Sequence, residues 1–300
     1  MLQSHPHNRP RKLAGGIPAE RFIMRMRQMT RQDIADGMRL KDLAQWNQTE
    51  ADWERFLFAS PEGCFVAEID CRVVGTAATI IYEDHFAWIG MVLVDPGFRN
   101  RGIGSALLQR AIEHLESRSI ACMKLDATPQ GKSIYEKLDF VSEYEIERWT
   151  LKRPPARVNW EGLSPELHEV LQVDREVFGA DRSALLRSLS ESAPDFVQVL
   201  RPHTGVTGYT FGRRGSLADE LGPWIAYEER AAAELLDSFL ARSSRELVFV
   251  DCLKSNSWAI GLVRARGFEF GRPLTRMYRG DNIFPGRPDI VCGIVGPEFG

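Results

Sequence analysis

Two glycines, two arginines and a tyrosine are the residues best placed for chemistry. Arg99-Asn100-Arg101-Gly102-Ile103-Gly104-Ser105 joins an apolar run, Phe86 to Val94, to a segment of helical periodicity that begins at Ile103. Asp95-Pro96 stops the first run. A loop that opens a helix presents backbone N–H groups without intrahelical partners, and the helix dipole favours an anion there by about 0.3–1 kcal/mol per charge. Gly102 and Gly104 let the backbone approach a ligand because no Cβ intervenes. Arg99 and Arg101 add positive charge. The chemistry expected is the binding of an anion at the helix N-terminus. Further on, Tyr135 lies in Ser133-Ile134-Tyr135-Glu136-Lys137-Leu138-Asp139-Phe140. A phenol with a pKa near ~10 stays protonated at neutral pH and donates a proton.

Three neighbouring patterns carry no chemistry. Gly131-Lys132-Ser133 ends like a P-loop, but the glycine required five residues earlier is Asp126, which would repel phosphate. Gly102-Ile103-Gly104 lacks the third glycine of a dinucleotide fingerprint, which is Leu107. His168-Glu169 opens like a metalloprotease helix, but the second histidine is Gln172.

The elements that must position these residues form a mixed α/β pattern. Residues 22–29 read as a strand. Thr30 to Asp33 resembles a capping box that opens a helix to Ala44, and Thr49 caps another through Trp53, Phe56 and Leu57. Phe65 to Ile69 and Val73 to Tyr82 read as strands joined by a turn at Asp70-Cys71-Arg72. After Gly102, Ile103, Leu107, Ala111 and Leu115 form one helical stripe, flanked by Ala106 and Ile112. A strand from Cys122 to Asp126, a short helix from Gly131 to Leu138 and a strand from Val141 to Leu151 follow. Lys152-Arg153-Pro154-Pro155 reads as a linker. Beyond it come helices at Leu163–Phe178 and Ser183–Leu189, then strands at 196–200, 205–212 and 222–226. A helix from Glu228 to Ala241, a strand from Leu247 to Cys252, a helix from Asn256 to Arg266 and a strand from Phe268 complete the second half.

Composition bounds the rest. Three hundred residues suggest two domains at about 150 residues each. The formal net charge of −3 gives no basic excess for nucleic acid. No apolar run is long enough to span a membrane, and the polar residues 1–21 read as a flexible leader. Cys64, Cys71, Cys122, Cys252 and Cys292 are odd in number and widely spaced, so neither a disulfide framework nor a metal site is expected. A cytoplasmic location fits.

The order strand, Asp-Pro stop, Arg-x-x-Gly-x-Gly, apolar helix, strand, tyrosine-bearing helix resembles the acyl-CoA signature of the GNAT acetyltransferases. The resemblance implies acetyl-CoA as co-substrate, its pyrophosphate cradled by the amides of Asn100 through Ser105, and no metal. It implies a β-bulge at Val92, Leu93 and Val94 that pairs with the pantetheine arm and supplies an oxyanion donor. Tyr135 matches the family's general acid, in an ending like Leu-Tyr-x-x-Leu-Gly-Phe. Thr128 matches an arm-contacting position. Asp139 replaces the usual glycine and must accept a left-handed conformation. The reaction implied is direct attack of a primary amine on acetyl-CoA in a ternary complex. The other reading is a non-catalytic acyl-CoA sensor. The acceptor stays open among a small metabolite, an antibiotic and a peptide N-terminus, and a homodimer also stays open. For the base, Glu83, Asp84, His85 and Asp251 are candidates, and Trp88 and Ile89 stand where some relatives carry a catalytic glutamate.

The second half repeats the first. Asp139-Phe140 leads to Arg148-Trp149, and Gly267-Phe268 leads to Arg276-Met277, at an offset of 128 (268 − 140 = 276 − 148). The expected architecture is two tandem GNAT-like units, each a mostly antiparallel mixed sheet flanked by helices, over 22–152 and 153–300. The same offset puts Tyr227 at Arg99, Arg230 at Gly102, Ala232 at Gly104 and Val263 at Tyr135, so the second unit is expected to be degenerate. Its role is read as substrate-shaping or structural.

Overall fold

The computed structural model describes residues 23–155, 165–201 and 205–300. The expected leader and the start of the helix expected from Leu163 lie outside them. The elements in chain order are β1 (Met24–Gln28), α1 (Ile34–Leu43), α2 (Glu50–Ala59), β2 (Cys64–Ile69), β3 (Arg72–Tyr82), β4 (Phe86–Val94), α3 (Ile103–Ser117), β5 (Cys122–Ala127), α4 (Pro129–Glu136) and β6 (Val141–Lys152). They continue with α5 (His168–Phe178), α6 (Ser183–Ser192), β7 (Gln198–Leu200), β8 (Gly208–Arg214), β9 (Asp219–Ala226), α7 (Glu229–Arg242), β10 (Leu247–Leu253), α8 (Ser257–Ala265), β11 (Glu269–Gly280) and β12 (Val291–Gly293).

Local chemistry accounts for these boundaries. Asp33 accepts from the Thr30 amide at 2.8 Å, and Asp52 accepts from the Thr49 amide at 2.8 Å, so both expected capping boxes form. Asp70 and Cys71 take φ of 50° and 62°, the two left-handed residues of a tight hairpin turn between β2 and β3. Asp139 takes φ 64°, the left-handed conformation its position demands. Along the strands, side chains alternate between two cores. Phe65, Ala77, Ala87 and Ile89 pack with the buried stripe of α3, Ile103, Leu107, Leu108, Ala111 and Leu115. Val66, Ala78, Phe86 and Trp88 face the opposite core, which α1, α2, α5 and α6 share. A third core gathers α7 and α8 over the second half.

The twelve strands among the described residues form one sheet, in the order β1-β2-β3-β4-β5-β11-β6-β10-β12-β9-β8-β7. The two units exchange their long strands. β11 lies antiparallel against β5, and β6 lies antiparallel against β10, with β6 and β11 side by side between them. Each exchange is clamped by the same ion pair. Arg148 pairs with Asp251 directly opposite it, donating from Nε at 2.8 Å, and Arg276 pairs with Asp126 directly opposite it, donating from Nε at 2.9 Å and from Nη2 at 2.8 Å. These two arginines are the ones whose spacing revealed the repeat.

The sequence reading did not anticipate β12 or the path of the chain after β11. β12 inserts between β9 and β10, pairing Gly293 with Cys252 on one side and with Trp224 on the other. The following segment, 294–300, crosses into the first half. Trp88 Nε1 donates to the Pro297 carbonyl at 3.0 Å, and the Tyr82 hydroxyl donates to the Phe299 carbonyl at 3.0 Å. A Cβ on Gly90 would meet the Glu298 carbonyl at 2.7 Å, so the segment runs directly against β4 where only a glycine leaves room.

Candidate active site

β4 and β5 are parallel neighbours that pair only at Ala87–Met123 and Trp88–Lys124. Beyond Trp88 they part, which opens a wedge along the rest of β4. β4 is bulged there. Thr76 faces Leu93 and Ala78 faces Gly90, so Met91 and Val92 together oppose Ala77. Met91 takes φ 55°, and the Thr76 hydroxyl donates to its carbonyl at 2.7 Å, which holds the bulge in place. The bulge thus begins at Met91, one residue before the expected Val92, and Leu93 and Val94 are back in register with β3.

The loop from β4 to α3 is fixed at its start. The Asp95 carboxylate accepts from the Gly97 amide at 3.0 Å, from Arg39 at 3.0 Å and from Arg72 at 2.7 Å. Asn100 has φ 61° and Gly102, the N-cap of α3, has φ 79°. No atom lies within 4 Å of where a Gly102 Cβ would stand, so the backbone conformation rather than crowding calls for glycine. The first turn of α3 carries no acidic residue, which leaves its N-terminus attractive to anions.

A cleft of about 760 Å³ runs along this wedge. Val92, Leu93, Val94, Arg99, Asn100, Gly102, Ile103, Gly104, Ser105, Thr128 and Tyr135 line it together. Arg101 does not. Its guanidinium lies 5.2 Å over the Phe98 ring and donates to the Gly97 carbonyl at 3.4 Å. Thr128 caps α4 by accepting from the Gly131 amide at 3.2 Å. The Tyr135 ring packs over Gly131, where a Cβ would sit 2.9 Å from it, and edge-on to Phe140 at 6.1 Å. Tyr135 is half-buried, and burial pushes its phenol up to about 12, so it is a protonated donor at neutral pH. Among the described residues its hydroxyl has no hydrogen-bond partner.

Tyr135, Thr128, Val92, Trp46 and Arg272 also border a second, smaller cavity of about 80 Å³ beneath the cleft. Its remaining wall brings together Gln48, Gly90, Asp126, Arg148 and Glu298. Arg272 arrives on the exchanged strand β11, just after a bulge at Gly271. Glu298 arrives on the segment after β12 and is 3% exposed. Burial raises its carboxyl to about 7. Arg213, in ion contact with it, pulls the other way, while Glu220 and Asp52 add to the rise. The bases expected from the sequence lie elsewhere. Glu83 is bound by Arg175 through two contacts of 2.8 Å, and His85 stacks on Phe284 with its Nδ1 2.9 Å from the Gly179 carbonyl. Asp251 is committed to Arg148. Sequence reading missed Arg272, Gln48 and Glu298.

The second half lacks this arrangement. α7 begins at Glu229 behind an N-cap of Glu228, so two carboxylates occupy the helix end that in α3 faces the cleft. Val263 is fully buried. β12 fills the gap between β9 and β10.

Comparison with known proteins gives the family of the two units. The profile of the "Acetyltransferase (GNAT) family" matches residues 28–140, and that of an "Acetyltransferase (GNAT) domain" matches residues 170–293. The chain is 28% identical over 242 residues to holothin acyltransferase of Pseudoalteromonas sp. (strain SANK 73390), covering 78% of this chain and 81% of that one. It is 36% identical over 110 residues to an acetyltransferase of Sodalis glossinidius, covering 35% of this chain and 72% of that one. In fold it matches a candidate acetyltransferase from Pyrococcus horikoshii, with a TM-score of 0.77 and 24% identity over 99% of this chain and all of that one (100%). A GCN5-related N-acetyltransferase from Sphaerobacter thermophilus matches with a TM-score of 0.60 and 19% identity over 88% of this chain and 96% of that one. The chain belongs to the GNAT acyltransferase family and carries two GNAT units in tandem.

Proposed function

We propose that the chain is an N-acetyltransferase with one active site, in the first unit, that moves the acetyl group of acetyl-CoA to a primary amine by direct attack in a ternary complex. The observation that carries this reading is the unpartnered Tyr135 hydroxyl on the wall shared by the long cleft and the small cavity. A donor there reaches a thioester laid along β4 and faces an acceptor in the cavity below. The open edge of β4 past Trp88 suits the pantetheine arm. A backbone N–H at the Met91–Val92 bulge is the oxyanion donor, and the loop ending at Gly102 receives the pyrophosphate. Tyr135 then protonates the departing thiolate. The catalytic unit is residues 22–152 completed by β11, with 153–300 a degenerate unit that shapes the acceptor side. The five free cysteines fit a cytoplasmic enzyme.

The alternative is an acyl-CoA sensor without turnover. Tyr135→Phe separates the two. For an enzyme, free-thiol release from acetyl-CoA in the presence of amines falls by about 10²–10⁴-fold while calorimetric acetyl-CoA affinity holds. For a sensor, the unaltered protein releases no thiol with any amine. Absence of acetyl-CoA binding would sink both readings.

A further inference from the structure

The small cavity is walled by three polar groups whose hydrogen-bonding capacity the protein does not fill. Glu298 is in ion contact with Arg213 through Oε1, which leaves its buried Oε2 without a partner, and Gln48, 5% exposed, has its buried Oε1 without a hydrogen-bond donor. The half-buried Arg272 guanidinium has no hydrogen-bond or ion-pair partner among the described residues, and burial together with the Arg148 guanidinium holds it below the ordinary arginine range. The other charges on the wall are spent. Asp126 is taken by Arg276, and Arg148 by Asp251 and Glu220. Buried polar groups are normally paired, and leaving one unpaired costs about 1–3 kcal/mol. Unfilled acceptors and an unpaired cationic donor lining one cavity are complementary to one kind of molecule. An ammonium offers three donors and no acceptor, and a guanidinium fork takes a carboxylate through two parallel bonds.

We infer that the acceptor is a small primary amine that also bears a carboxylate, an amino-acid-like zwitterion whose ammonium is received by Glu298 and Gln48 and whose carboxylate is held by Arg272. The inference rests on the acetyl-transfer reading above. The ammonium gives one proton to the Glu298 carboxylate, and the freed nitrogen attacks the thioester carbon. The C–N bond forms, the C–S bond breaks, and the thiolate takes the Tyr135 proton. The nitrogen's second proton restores the Tyr135 hydroxyl, and Glu298 releases its proton to water. About 80 Å³ beneath the cleft admits only a few atoms, so the reacting end of the acceptor is small.

The test is a thiol-release panel at saturating acetyl-CoA with matched pairs, each amino acid against its amide, together with β-alanine and β-alaninamide. The carboxylates are expected to exceed the amides in kcat/KM by about 10- to 100-fold. Arg272→Gln erases that preference by raising the acceptor KM, Arg272→Lys restores part of it, and the acetyl-CoA KM stays within about twofold. Three results overturn the inference: amides matching acids, no carboxylated amine turning over in a protein that binds acetyl-CoA, or Arg272→Gln raising the acetyl-CoA KM instead. The last would assign Arg272 to the cofactor. If acetyl-CoA itself fails to bind, the underlying reading falls first, and calorimetry without any amine reports that separately.

Discussion

In the first unit two parallel strands part and stay apart; in the second they part and the chain's own β12 fills the gap. β4 and β5 share two paired positions before diverging, and β9 and β10 share three. The helix that follows begins behind Gly102 in one and behind Glu228-Glu229 in the other. The same fold element is therefore an open wedge or a self-complemented sheet, depending on whether the chain supplies the missing strand edge and on what charge stands at the helix end. The segment that fills the second unit's slot continues on to deliver Glu298 to the first unit's cavity. Closure of one wedge and completion of the other unit's cavity are parts of a single path of the chain.

The largest effect is expected where the two halves are clamped. Arg276 is fully satisfied by Asp126 and the Tyr144 hydroxyl, whereas Arg148 has a second carboxylate in Glu220. Asp126→Ala leaves a buried guanidinium without a counter-charge and is expected to cost about 3–5 kcal/mol of unfolding free energy in a urea titration. Asp251→Ala should cost less, about 1–3 kcal/mol, because Glu220 still neutralises Arg148. Equal losses would mean the two clamps are not differently backed.

The next effect separates the two helix ends. Gly102→Asp combines strain at φ 79° with a negative charge in the proposed phosphate cradle. Calorimetric acetyl-CoA affinity is expected to fall at least about 30-fold. Arg230→Gly, which restores a glycine at the matching place in the second unit, should add no second binding event, because β12 and the two glutamates remain. A stoichiometry of two in that variant would show that sequence loss alone, and not the inserted strand, had silenced the second slot.

Much of this was legible beforehand. Capping residues, strand alternation and the stripe on α3 are local patterns, and they placed nearly every element. The repeat was legible too, since β6 and β11 lie 128 residues apart (269 − 141) and carry Arg148 and Arg276 at matching positions. That these strands change places was not, because pairing between distant strands leaves no periodicity in either one. Arg272 and Glu298 stayed hidden for that reason. Each belongs by sequence to the half without a signature and reaches the cavity only through the exchange and the path of the tail. One signal was available: Val291-Cys292-Gly293-Ile294-Val295 is a short apolar run bounded by Asp289 and Gly296-Pro297, the pattern of a buried strand. Reading it would have drawn attention to the acid that follows.

The smallest expected effect reports on that acid. Glu298 is faced by Arg213 from β8, Glu220 from β9 and Asp52 from α2, with Arg272 of β11 and Arg148 of β6 on the cavity side. Its folded carboxyl is raised from 4.5 to about 7, so the folded state holds this proton more tightly than the unfolded chain does. The stability it contributes is present below the unfolded value and is lost as pH rises through about 7. Glu298→Gln stays neutral and does not lose it. Between pH 5 and pH 8 the parent protein should therefore lose stability relative to the variant by on the order of 1 kcal/mol. In turnover the same group predicts the opposite slope, since the base must be ionised: kcat/KM should rise with pH through about 7 in the parent and lose that limb in the variant. A limb that persists in Glu298→Gln would assign the proton to another group and remove Glu298 from the reaction.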